Sequence, residues 1–221
     1  MIVESMNYDE ICEELEDFPR VTYLKLQKEI NNYVKFYIKR PNIEIKPLIK
    51  KIRYKKMDCM VYIMPRIKNG KIVDKRIMIG YYVYVNTDKG ISLYTVLYDE
   101  LTDIPSVEII TAHALRRINE RYNIEELSIE KQNTDDLVKT IFALFGLSSR
   151  TQKVPNEKYG EFNALVMCKN GVFLSQQKNG ITTHNTFLTL KYLKRDQVEL
   201  YEMAKAMINR PIDEIRIGSY N

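Results

Sequence analysis

Tryptophan is absent from the 221 residues, histidine occurs twice and cysteine three times. The cysteines, Cys12, Cys59 and Cys168, lie far apart and form no C-x-x-C pair. Their odd number and spacing argue against a disulfide scaffold and against a thiolate zinc site. Two histidines cannot build an imidazole cage, and no D-x-D-x-D-G loop offers a carboxylate alternative. The expectation is therefore no metal and no cofactor. No stretch approaches the roughly 18 apolar residues of a membrane span, so no membrane association is expected. The first residues, MIVESMNYDEICEELEDF, are acidic and lack the basic-flanked apolar core of a secretory leader. The bacterial cytoplasm, or a phage particle assembled in it, is the expected compartment.

What is present is charge, unevenly placed. The net charge is +5. Residues 1–20 carry seven acids against Arg20, whereas residues 21–90 carry seventeen Lys/Arg against five Asp/Glu. The densest basic run is Ile49–Lys56, with Lys50, Lys51, Arg53, Lys55 and Lys56. Such a segment suits nucleic acid or an acidic protein face, and equally a solvated surface offset by acidic helices nearby. Lys, Ile, Asn and Tyr are abundant, the composition of an AT-rich genome and of the tailed phages that share it.

Hydrophobic spacing predicts an α+β fold in which helices precede antiparallel three-stranded meanders, arranged as one domain or two small halves. Helices are expected over residues 8–17 and 21–39, the second with Leu26, Ile30, Tyr33, Val34 and Tyr37 at helical spacing and stopped by Arg40-Pro41-Asn42. Met57–Met64, Arg76–Asn86 and Ile91–Tyr98 read as strands joined by Asn69-Gly70 and Asp88-Lys89-Gly90 turns. Helices follow over 110–123 and 134–145, then a loop over 147–159. Strands over 161–168, 172–177 and 181–190 turn at Asn170-Gly171 and Asn179-Gly180, and a helix over about 194–209 closes the chain. Pro105 and Ser106 suggest a boundary near 100–106, dividing a binding or assembly half, 1–105, from a second half, 106–221.

Two segments carry candidate chemistry. On a wheel of the 111–123 helix, His113, Arg116, Arg117, Glu120 and Arg121 share one face, opposite Ala112, Leu115, Ile118 and Tyr122. His113 therefore projects with the arginines rather than into a core. Imidazole exchanges protons near neutral pH, and guanidinium groups hold phosphate and stabilise growing negative charge. This set suits metal-free attack of an RNA 2′-hydroxyl on its own phosphodiester. It suits simple phosphate binding, or a solvated salt-bridged face, equally well. In the strand ITTHNTFLTL, alternation places Thr183, Asn185, Phe187 and Thr189 on one face and Thr182, His184, Thr186, Leu188 and Leu190 on the other.

The helix His113-x-x-x-Arg117-x-x-x-Arg121, followed by Gly171-Val-Phe-Leu and then Thr183-His-Asn-Thr-Phe187, resembles the compact barnase-, colicin- and RelE-type ribonucleases. The resemblance covers about residues 106–210. It implies a toxin-like or mobile-element endoribonuclease that cleaves RNA without metal. By it, His113, Arg117, Arg121, Thr183 and Thr186 are candidate catalytic residues, with His184 as an additional candidate. Lys50, Lys51, Arg53, Lys55, Lys56 and Arg116 are candidates for holding nucleic acid or a partner. Two other readings stand beside it. One is a ring or connector subunit of a tailed phage, a homo-oligomer whose acidic start docks on a neighbouring subunit's basic face. The other is a non-catalytic module in which Tyr23, Tyr33, Tyr37, Tyr54 and Tyr62 interleave with lysines to bind nucleic acid.

Overall fold

The first helix begins where the sequence supplies a reciprocal cap. The Asn7 side chain accepts from the Glu10 backbone N–H at 3.1 Å, and the Glu10 carboxylate accepts from the Asn7 N–H at 2.7 Å. Helix α1 (Tyr8–Leu15) buries Ile11 and Leu15. Helix α2 (Phe18–Ile38) starts three residues before its expected position, because Pro19 fits the first helical turn, where no backbone donor is needed. Its buried stripe is Phe18, Thr22, Leu26, Ile30 and Val34, one residue per turn, with Tyr33 and Tyr37 at the margin. The computed structural model describes residues 1–40, 43, 45–68, 71–98, 105–122, 134–145, 150–154, 160–168 and 170–208.

Among the described residues a nine-stranded mixed sheet follows, formed by β1 (Leu48–Tyr54), β2 (Met57–Lys68), β3 (Lys71–Thr87), β4 (Gly90–Tyr98), β5 (Pro105–Ile110), β6 (Arg150–Lys153), β7 (Ala164–Cys168), β8 (Gly171–Lys178) and β9 (Ile181–Thr189). Its order is β1-β2-β3-β4-β5-β9-β8-β7-β6. The expected three-stranded meanders are thus a five-stranded and a four-stranded one. All neighbours are antiparallel except β5 and β9, which run parallel from Val107↔Ile181 to Ile110↔His184. Three strands escape sequence reading. Strand β1 reads as a basic run, β5 begins at the Pro105 taken as a boundary, and β6 lies inside the segment expected to be a loop. The sheet is continuous through that boundary, since β5 pairs with both β4 and β9.

Helices α1, α2 and α5 (Arg195–Ile208) cover the first face of the sheet. Helices α3 (Ala112–Tyr122) and α4 (Thr134–Phe145) cover the second. On the first face the Phe18 ring stacks on Tyr81 at 4.1 Å and meets Tyr54 edge-on at 4.9 Å. On the second, Phe142 of α4 packs against Tyr62 and Tyr82. Tyr54 and Tyr62 are therefore core residues rather than base-stacking surfaces. No helix among the described residues is long and apolar enough to cross a membrane. Pro41, Asn42, Asn69, Gly70, Asn123 and Asn209 lie outside the described residues, but Lys68 and Lys71 pair across the expected Asn69-Gly70 turn.

Strand alternation divides the Ile49–Lys56 run between the two faces. Lys50 pairs with Glu29 of α2 at 2.8 Å on the first face. Lys51 pairs with Asp135 of α4 at 3.1 Å on the second. The basic run is thereby divided between the two faces of the sheet. Lys55 lies 3.7 Å from Glu14, so the acidic first helix meets this chain's own basic strand.

Lys55 (φ 43°) and Lys56 (φ 68°) form the two-residue turn between Tyr54 and Met57. Positive φ at both positions favours Asn-Gly and costs an ordinary side chain roughly 1–2 kcal/mol per residue. Lys55→Asn combined with Lys56→Gly is expected to raise the unfolding free energy by about 1 kcal/mol, allowing for the lost contacts of Lys55 with half-buried Glu14. Urea unfolding measures this, and an unchanged or lower midpoint would show that the lysines sit there without strain.

Candidate functional site

Helix α3 is fixed to the sheet at both ends. The Thr111 hydroxyl accepts from the Ala114 N–H at 3.2 Å and donates to the His184 carbonyl at 3.1 Å. The Ser92 hydroxyl accepts from the Ala112 N–H at 3.2 Å. Two turns on, the Arg121 guanidinium donates to the Phe187 carbonyl, with its carbon 5.4 Å from the Tyr192 ring centroid. Both anchors of α3 on β9 are backbone carbonyls, so the helix lies along that strand. Ala114, Leu115 and Ile118 are buried against Ile110, Phe173 and Phe187, while His113, Arg116 and Glu120 are exposed. The wheel's separation of faces is realised. The Tyr122 side chain lies outside the described residues.

The simple alternation expected along 181–190 is broken at Asn185. Thr186 pairs with Leu174 but His184 pairs with Ser175, so one extra residue is inserted into β9. A bulge of this kind re-aims the side chains around it. His184 and Phe187, expected on opposite faces, thereby share the face under α3, both near the Phe173 ring at 4.9 Å.

The result is a cleft of about 410 Å³ whose walls include His113, Arg117 and Arg121 from α3 and Asn185 and Thr186 from the bulge. Lys89, Glu4 and Glu161 also line it. The positive end of the α3 dipole opens here beside the cations. Arg117 is held by Glu120 at 2.7 Å, an exposed pair that leaves most of its five donors for a ligand. Burial, and next the neighbouring Arg117, push the Arg121 pKa below the usual arginine value. That direction reflects a guanidinium partly withdrawn from water beside a second one, and arginine stays charged throughout.

The remaining expected site residues lie elsewhere. Thr183 pairs with Ile109 and Gln176, on the sheet face that carries Ile109 and Ile181, away from α3. Arg116 is exposed but does not line the cleft. His184 is fully buried, with Nδ1 2.8 Å from the Ser175 hydroxyl and Nε2 3.6 Å from the Glu108 carboxylate. Serine, histidine and acid thus lie in a row, but substrate cannot reach fully buried Ser175 and His184. His184 is corrected from candidate catalyst to core histidine.

Sequence reasoning missed Asn185, Lys89, Glu4 and Glu161. The Lys89 turn was legible, but nothing local showed that it would face α3. Burial pushes Cys59 and Cys168 up to about 12 and also raises Cys12, which disfavours the thiolate form. Among the described residues, no group of three His, Cys, Asp or Glu side chains could hold a metal ion. No protein-family model, no curated protein and no solved structure matches this chain.

Proposed function

We propose that this chain is a metal-independent endoribonuclease acting in the α3–β9 cleft. The observation that carries the reading is convergence. His113, Arg117 and Arg121 come from one helix and Thr186 from a strand about 70 residues later, yet all four line the same opening. In the proposed reaction the 2′-hydroxyl oxygen attacks the adjacent phosphorus while its proton passes to the His113 imidazole. The bond from phosphorus to the 5′-oxygen breaks, and the leaving oxygen takes a proton from water. The products are a 2′,3′-cyclic phosphate and a 5′-hydroxyl end. Arg117 and Arg121 offset the charge that accumulates on the phosphoryl oxygens.

The test is incubation of the purified chain with mixed-sequence RNA in EDTA, followed by analysis of the ends. Cyclic phosphate products are expected, and a 2′-deoxy substitution at the cut position should leave that position intact. Absence of cleavage of any RNA, or products lacking the cyclic end, would overturn the reading. Arg117→Lys is expected to lower kcat about 10- to 100-fold, since lysine keeps the charge but loses the planar fork. A variant with unaltered kcat would remove Arg117 from the transition state.

A further inference from the structure

A second cleft, of about 510 Å³, is lined by Lys51, Arg53, Lys56, Asp58, Tyr84 and Asp135 among others. It adjoins the first. The linings are chain neighbours at three separate places: Val3 beside Glu4, Asn86 beside Thr87, and Ile91 beside Ser92. Neighbouring Cα atoms are about 3.8 Å apart, so the end of β3 and the start of β4 form one wall common to both openings.

The charges in this second cleft are not equivalent. Asp135 takes both Lys51, at 3.1 Å to each oxygen, and the Tyr84 hydroxyl, at 3.0 Å. Lys51 is thereby held in place by its own partner. Arg53 and Lys56 also line the opening, with Asp58 the cross-strand partner of Arg53. Lys56 is presented there by a turn with positive φ, a conformation that lysine does not favour. Lys50 and Lys55, from the same eight-residue run, are directed instead to Glu29 and Glu14.

We propose that the second cleft binds the continuation of the RNA strand whose scissile phosphate occupies the first, with Arg53 and Lys56 each holding a backbone phosphate. This rests on the ribonuclease reading of the first cleft. Such a track recognises single-stranded RNA long enough to span both openings and discriminates against very short oligonucleotides.

The experiment measures binding of fluorescein-labelled 2′-O-methyl oligouridylates, which cannot be cleaved through a 2′-hydroxyl, as a trinucleotide and as a strand of about twelve nucleotides. Arg53→Ala with Lys56→Ala should weaken binding of the longer strand on the order of tenfold and lower its salt slope by about 1.4, the value for two single-strand phosphates. Trinucleotide binding should stay unchanged. Lys50→Ala with Lys55→Ala removes the same charge from the same segment and should alter neither. Equal weakening by both double variants would reduce the effect to bulk charge and overturn the track, as would no weakening by either. Binding that depends on Arg53 and Lys56, without RNA cleavage by the unaltered chain, would uphold the track and overturn only the ribonuclease reading.

Discussion

His113→Ala is expected to lower the rate of RNA cleavage by about 100- to 10,000-fold, the usual effect of removing one positioned acid–base group. The fold should survive the change. His113 is exposed on α3, and the contacts that fix the helix come from Thr111, Ser92 and Arg121. The helix's apolar side, Ala114, Leu115 and Ile118, is untouched. Alanine is also the best helix former, so local propensity improves slightly. Single-turnover cleavage should therefore collapse while the urea midpoint moves little. Affinity for an uncleavable RNA strand should fall far less than the rate, because the arginines remain. If the rate is unchanged, His113 belongs to a solvated helix face. If the variant unfolds, the histidine has a structural role that its exposure does not suggest.

Phe187→Ala is expected to cost about 3–5 kcal/mol of stability, the range for truncating a buried aromatic ring. The Phe187 ring is fully buried, packs 4.9 Å from Phe173, and belongs to the core beneath α3. It lies two residues past the Asn185 bulge, which sets both it and His184 under the helix. Truncation leaves a cavity between α3 and the sheet that the bulged strand cannot close without moving Thr186. Urea unfolding should show a lower midpoint with an unchanged m-value. Phe187→Leu should recover much of the loss. A cost below about 1 kcal/mol would mean that α3 settles into the vacated space. The packing of α3 on β9 would then not be what shapes the cleft.

Periodicity alone placed α2, α3, α4 and α5 and the longer strands, because each carries a strong repeat of 3.6 or 2. The stripe from Leu26 to Val34 and the polar edge from His113 to Arg121 are examples. Turn chemistry placed the hairpin at Asn179-Gly180, where Asn179 has φ 49° and Gly180 φ 77°. The same dipeptide is also held by packing, since a Cβ at Gly180 would stand 2.8 Å from the Tyr8 ring. Strand β1 was hidden because alternating lysines and apolar residues read as a charge run. Strand β6 was hidden because Arg-Thr-Gln-Lys has no apolar repeat and gains its order only from pairing with β7.

The sequence by itself determined the secondary structure of the strongly periodic segments, which side of α3 is polar, and the residue types available for chemistry. Tertiary structure alone decided their assembly. The parallel pairing of β5 with β9 joins strands about 70 residues apart, and no local spacing encodes it. The Asn185 bulge overrides the period of two and sets His184 and Phe187 on one face, under α3. Pairing with Glu29, Asp135 and Glu14 divides one basic run among three separate partners. Each outcome depends on which distant backbone or charge lies opposite. Local spacing fixes the direction of a side chain relative to its own element, and only packing fixes what that direction meets.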